Sequence, residues 1–335
     1  MKVPFTLCFG MMHLFLFGQN TVSDTASIPA VVVRSTLVRD TLRNIPASVA
    51  VLDRALLRQN DGTSITSLIN QVPGVYMQQG ALNTNRITIR GIGARSQYST
   101  NRVKAYIDGI PISTAAGSTV IEDIDMDVLE SVEIIKGPAS SIYGTGLGGV
   151  INLYTHDKPA SKVAAVTSLG SFGLQKHMFS AGLNGKKATA QVTYNQLQRN
   201  GYRDNASYDR KSLTVNGKYH FSESTTLSLL AILTRMKAYI PSSVGRSVFE
   251  SAPTRANANW EAAQGFESYD KLIAGLSLGH RISEALCSTT SIFIQLLDAY
   301  EPRPFDILAE ARTGAGARTQ LNLDHSLFGK AAQPC

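Results

Sequence analysis

Beyond roughly the first twenty residues the chain has no continuous apolar run of about 18 residues, the length that a membrane-crossing helix needs, so helical spans are excluded. Cysteine is scarce, at three in 335 residues, and Cys8 lies in the extreme N-terminal segment. Cys287 and Cys335 make at most one pair, which is no disulfide framework, and the sequence leaves open whether they join. None of the six histidines stands three or four residues from another, so metal ligation by spacing has no support. The chain also lacks G-x-S-x-G, H-E-x-x-H, the phosphate loop G-x-x-x-x-G-K-[ST] and paired carboxylates in a recognisable motif. It reads as a non-enzyme with no metal and no cofactor. Lys and Arg outnumber Asp and Glu by 32 to 25, for a net charge of +7, but they are scattered rather than gathered in a stripe, which argues against nucleic acid as a partner. The mild basicity favours anionic ligands or an anionic lipid surface.

What is present begins with a leader. Lys2 precedes an apolar run from Phe5 to Phe17, followed by the small and polar residues Gly18 to Ser23. A positive start and a short apolar stretch describe a signal peptide, taken here as residues 1–20, and predict export. The apolar fraction of 43% excludes wholesale disorder of the rest.

The densest local signal is the segment from Glu130 to Tyr154. A strand-like run meets Lys136-Gly137-Pro138, five glycines fall within 137–149, and a second strand-like run, Val150 to Tyr154, follows. Such glycine density demands positive φ angles or very close backbone approach. Gly144, Gly146 and Gly149 match G-x-G-x-x-G. That motif cradles a pyrophosphate only where a helix opens on it, and the β-prone residues that follow argue against this.

Residues 40–157 read as a mixed α/β unit. Ile45–Leu52 predicts a strand, and Asp53 is a candidate N-cap for a short helix to Gln59. Ile65, Leu68 and Ile69 form the apolar face of a second helix, stopped at Pro73-Gly74. Arg86–Gly91 alternates, as does Arg102–Gly109, which turns at Asp108-Gly109 and resumes at Ile110. From residue 160 to 335 the pattern is period-two strands, about eight of them, the last near 314–327. Short turns near 184–186, 222–224 and 282–284 alternate with long polar loops at about 200–210 and 238–265. Strands joined by short turns at one end and long loops at the other predict an antiparallel transmembrane β-barrel.

In this order a signal, a small glycine-rich domain and barrel strands resemble the TonB-dependent outer-membrane receptors of the siderophore or ferric-chelate type. The residues that carry the resemblance are Arg86-Ile-Thr-Ile-Arg-Gly-Ile-Gly93, Ala105-Tyr-Ile-Asp-Gly-Ile-Pro111 and the segment Glu130–Tyr154. The resemblance implies an α+β plug domain over 40–157, seated inside the barrel whose N-terminal part is 160–335. It also implies a periplasmic leader over 21–39, in which Ala30, Val31, Val32, Val33 and Arg34 resemble the TonB box. Such an extended segment is suited to adding as a strand to a partner's sheet. A plug–barrel charge lock is implied at Arg90 and at Lys136, the second standing where the family usually has arginine. Arg95, Gln97, Tyr98 and Arg102 are candidates for contact with an anionic, oxygen-rich ferric chelate.

The implied location is the outer membrane of a Gram-negative bacterium. The implied partners are TonB with its inner-membrane energy-coupling proteins, the ferric chelate and outer-membrane lipid. Receptors for cobalamin, haem or glycans share these motifs. A non-transporting exported binding or signalling module is the alternative from another class. Family barrels have about 22 strands, whereas about eight enclose only their own side chains. The expectation is therefore an incomplete barrel in a truncated product or fragment that does not transport by itself.

Overall fold

The computed structural model describes residues 32–34, 40–60, 62–81, 84–95, 100–114, 117–144, 146–159 and 161–323. Ala30, Val31, Gln97 and Tyr98 lie outside these residues, as does the expected signal peptide. The first strands are β1 (Val32–Val33) and β2 (Asp40–Thr41), an antiparallel pair. The plug sheet follows. It comprises β3 (Val49–Leu52), β6 (Val103–Ile107), β7 (Ile110–Pro111), β8 (Leu129–Lys136) and β9 (Gly149–Thr155), ordered β3-β8-β9-β6-β7. Only β6 and β9 run parallel; the other neighbours are antiparallel. A separate hairpin joins β4 (Val75–Ala81) to β5 (Thr84–Ile89).

Local chemistry explains the boundaries. The Asp53 carboxylate accepts the Leu56 N–H at 2.9 Å and opens α1 (Arg54–Arg58), as a capping side chain does. Strand β3 starts at Val49 and is shorter than the expected 45–52, within which Pro46 has no N–H to give a ladder. Helix α2 (Thr66–Ile69) buries Ile65, Leu68 and Ile69, the predicted face. The glycine-rich segment contains α3 (Ser140–Tyr143), a helix of four residues that comes before Gly144, Gly146 and Gly149, and those glycines lead into β9. No helix opens on them, so the dinucleotide geometry is absent from this segment. Gly149 sits at φ +145°, and a Cβ there would stand 2.2 Å from the Ile135 carbonyl oxygen, so only glycine lets β8 and β9 close.

The remaining strands form one antiparallel sheet of eight. They are β10 (Val163–Gly170), β11 (Leu174–Asn184), β12 (Ala188–Arg199), β13 (Tyr208–His220), β14 (Thr225–Tyr239), β15 (Phe266–Arg281), β16 (Leu286–Pro302) and β17 (Ile307–Leu323). Each pairs with the next in sequence, and β10 and β17 are the two edges of an unclosed sheet. The long connection between β14 and β15 carries α4 (Arg246–Ser251) and α5 (Ala258–Ala262). Cys287 is disulfide-bonded.

The two faces of this wall differ. On β14, Leu230 and Ile232 are 2% and 3% exposed, whereas Leu229 and Leu233 are 43% and 46% exposed. Leu230, Ile232 and Ile273 of β15 belong to the same apolar cluster as the plug's Ile107, Ile110, Ile134 and Ile151. One face of the wall therefore packs the plug, and each such side chain removed from water is worth roughly 1.5–3 kcal/mol.

Candidate functional site

The plug meets the wall mainly through residues 121–128, the approach to β8. Ile121, Ile124 and Met126 turn into the plug core, which leaves the acidic residues between them facing the strands. Asp123 accepts the Lys271 ammonium at 2.7 Å and the Tyr269 hydroxyl at 3.2 Å. Asp125 takes both the Arg210 guanidinium and the Ser212 hydroxyl, and Arg210 also donates to the Glu122 carbonyl at 2.7 Å. Asp127 is bound by Lys176 at 2.6 Å and by the Asn195 amide at 2.8 Å. The Glu122 carboxylate accepts from Thr66 and Gln79, both at 3.1 Å. Strands β11, β12, β13 and β15 thus each present an inward polar group to one short acidic stretch. Arg210 and Asp125 have side chains only 3% and 1% exposed, so neither charge has water to fall back on.

Elsewhere the wall touches the plug more lightly. Arg318 of β17 lies 5.2 Å from the Tyr106 ring and 5.3 Å from the Tyr143 ring, and donates to the Ile142 carbonyl at 3.1 Å. Burial pushes the Tyr143 hydroxyl up to about 12. Gln295 of β16 donates to the Pro111 carbonyl.

The residues proposed for a charge lock from sequence come together at a different place. The Arg90 backbone N–H donates to the Gly74 carbonyl at 2.7 Å, and the Lys136 ammonium donates to the Pro73 carbonyl at 3.3 Å, so the two residues meet at one turn. Arg90 is exposed, and among the described residues neither base has an ion pair with a carboxylate. The ion pairs that do join plug to wall have the opposite polarity, with acids on the plug and bases on the strands. Of the candidate ligand contacts, Arg95 and Arg102 are both exposed.

The leader residues that are described are held. Val33 is fully buried, and the Arg34 N–H donates to both oxygens of the Glu133 carboxylate at 3.0 Å. The Arg34 guanidinium bonds Asp157 at 3.0 Å and lies 5.3 Å from the Tyr154 ring. Asp157 also binds Lys218 of β13 at 2.5 Å. Burial pushes the Asp157 carboxyl up, but Lys218 and Arg34 outweigh it and hold the group down at about 2. A carboxyl lowered in the folded state stabilises fully above its ordinary value of about 3.9 and loses that contribution as pH falls through the lowered one. Protection of the Arg34 amide from hydrogen exchange is accordingly expected to persist at pH 5 and to decline between about pH 4 and about pH 2.

The outward face of the strands carries exposed apolar side chains. Leu227, Leu229, Ala231 and Leu233 alternate along it on β14. Below this apolar stretch Tyr219 and Phe221 stack edge to face at 4.9 Å, and above it Tyr239, Phe266 and Tyr300 follow one another at 5.5 and 6.1 Å. At about 3.3 Å per residue and a tilt of about 40°, the apolar run Leu227 to Leu233 covers about 15 Å, and an exposed Arg235–Asp270 ion pair at 2.7 Å separates it from the upper aromatic row.

A small α+β domain packed on one face of an unclosed antiparallel strand wall is the arrangement of a plug and part of its barrel. The family model "TonB-dependent Receptor Plug Domain" matches residues 41–150. The vitamin B12 transporter BtuB of Vibrio vulnificus (strain CMCP6) is 31% identical over 144 residues, covering 42% of this chain and 23% of the relative. The ferrioxamine B receptor of Salmonella typhimurium (strain SL1344) is 32% identical over 149 residues, 43% of this chain and 20% of the relative. Among solved structures, the unliganded ferric citrate transporter FecA superposes with a TM-score of 0.69 at 15% identity, covering 84% of this chain and 45% of that one. The ferric yersiniabactin uptake receptor FyuA from Yersinia pestis gives 0.69 at 15% identity, with 84% and 46% covered. The match to each of the two curated relatives spans less than a quarter of that relative's length. Residues 41–150 thus match the plug domain of TonB-dependent receptors, and the eight strands that follow share the fold of the solved receptors.

Proposed function

We propose that this receptor takes up a ferric siderophore or a similar anionic iron chelate across the outer membrane, with TonB supplying the energy. The observation that carries the substrate class is a one-sided charge distribution. Residues 62–107 contain Arg86, Arg90, Arg95, Arg102 and Lys104 and no Asp or Glu. The acids nearest in sequence on the C-terminal side are engaged elsewhere: Asp108 is bonded to Thr155, and Asp123, Asp125 and Asp127 are bonded to the bases of the wall. Arg95 and Arg102 therefore face solvent in a segment with no nearby acid in sequence. Such cations suit oxygen-rich anions through charge-assisted hydrogen bonds. The energy source lies with TonB, so the receptor itself carries out no bond chemistry. In this reading Ala30–Arg34 is the segment that TonB grasps, by adding it as a strand to its own sheet.

Cobalamin is the second reading, favoured by the 31% identity to BtuB. Ligand charge separates the two. Arg95→Ala with Arg102→Ala is expected to weaken binding of an anionic ferric chelate by about tenfold to a hundredfold for each charge-assisted bond lost, measured by calorimetry on the purified receptor. Cyanocobalamin bound tightly, with the chelates inert, establishes the second reading in place of the first.

A further inference from the structure

We propose that the short-turn end of the wall binds the phosphate headgroup of an anionic phospholipid through Lys158, Lys162, Lys186 and Lys187, with the acyl chains lying on the outward face of β11 and β12.

The charge pattern is one-sided. Between Asp157 and Asp204, residues 158–203 contain no Asp or Glu. The four lysines fall in two short segments of that span, the approach to β10 and the turn between β11 and β12. Backbone contacts bring the two segments together. The Gly182 N–H donates to the Lys162 carbonyl at 2.8 Å, and a Cβ on Gly182 would stand 2.3 Å from the Pro159 ring, so glycine lets the approach pack against β11. The Gly185 N–H donates to the Ala188 carbonyl at 2.8 Å, which closes a turn with Lys186 and Lys187 between them. All four lysines are exposed, and among the described residues none has an ion pair. Asp157, the acid nearest in sequence, is already held by Lys218 and Arg34. The turns 221–224 and 282–285 at the same end differ, since each carries one acid, Glu223 or Glu284, and no base.

Position selects a lipid over a soluble anion. The His220 N–H donates to the Lys187 carbonyl at 2.8 Å, which sets this turn level with Tyr219 and Phe221, the lower aromatic pair. Aromatic residues of outer-membrane strands gather at the boundary between acyl chains and headgroups. On the strands just above the turn, Leu183, Phe179 and Val192 are 60%, 55% and 43% exposed on the outward face. Four cations at the end of an apolar face complement a molecule with an anionic head and apolar tails. Lysine suits this edge, because its stem lies along apolar surface while the ammonium reaches the headgroup layer. Each lysine close to an anionic lipid surface strengthens association about fivefold.

The test is the association of spin-labelled phosphatidylglycerol, relative to spin-labelled phosphatidylcholine, with the receptor reconstituted in phosphatidylcholine bilayers. The expected preference for phosphatidylglycerol is at least about fivefold. Lys158→Gln, Lys162→Gln, Lys186→Gln and Lys187→Gln together are expected to abolish it, and the four corresponding changes to arginine to keep it. These substitutions spare the turn, whose bonds come from the backbone. Salt tests the charge with no substitution at all: raising it from about 0.1 M to about 1 M shortens the screening length from about 10 Å to about 3 Å and is expected to remove most of the preference. Equal association of the two lipids with the unchanged receptor overturns the proposal. So does a preference that survives the glutamine variant or the higher salt. Inorganic phosphate that displaces the labelled phosphatidylglycerol at millimolar concentration reveals a simple anion site and overturns the assignment to lipid. Lipopolysaccharide that displaces it in preference to unlabelled phosphatidylglycerol overturns the choice of a phospholipid.

Discussion

Arg210→Met is expected to destabilise the seating of the plug on the wall by about 3–5 kcal/mol, the cost of leaving one member of a buried ion pair without its partner. Arg210 spans two acceptors, the Asp125 carboxylate and the Glu122 carbonyl. Methionine fills similar volume and donates to neither. Asp125, whose side chain is 1% exposed, then keeps the neutral Ser212 hydroxyl in place of a cation. The expected readouts are a lower unfolding midpoint in detergent and faster proteolysis within residues 121–128. Arg210→Met combined with Asp125→Leu is expected to recover much of the loss, because an apolar pair of similar size often replaces a buried ion pair at little cost. A single variant within about 0.5 kcal/mol of the parent, as an ordinary surface change would be, contradicts this account of the interface.

Gly149→Ala is the second large effect expected, at about 3 kcal/mol or more from overpacking and backbone strain together. The new methyl group would stand 2.2 Å from the Ile135 carbonyl oxygen and 2.9 Å from the Ile89 side chain, at φ +145°. Nothing flexible can yield, since the nearer atom is backbone of the neighbouring strand β8. Gly109→Ala is the control: it also has positive φ, at +81°, but no atom within 4 Å of the added carbon. Its expected cost is about 1–2 kcal/mol, from the left-handed backbone alone. Denaturant unfolding of the two variants separates a close approach from a turn preference. Equal effects remove the packing argument for the glycine-rich segment.

Much of the fold is legible in the residues because its signals are local. The Asp53 cap, the Ile65-Leu68-Ile69 face, the Asp108-Gly109 turn and the period-two strands each depend on neighbours a few positions away. The plug–wall interface is not local. Lys176, Arg210 and Lys271 look scattered along the chain, and only the strand register brings them to one face of the sheet. Their partners form a run, Glu122-Asp-Ile-Asp-Met-Asp127, whose alternation was the available signal. Read by itself, that run resembles a solvated loop. Its apolar members, Ile124 and Met126, mark it as half-buried instead. Arg90 and Lys136 drew attention as lock residues through family resemblance, and the fold does gather them, at the Pro73-Gly74 turn.

The central claim, energised uptake of an anionic iron chelate, is tested most directly by accumulation of radioactive iron, presented as ferric siderophore, in iron-starved cells that depend on this receptor. The account predicts accumulation that requires both TonB and the leader segment around Val32–Arg34. Accumulation that is the same without TonB, or binding at the surface with no entry when TonB is present, contradicts it.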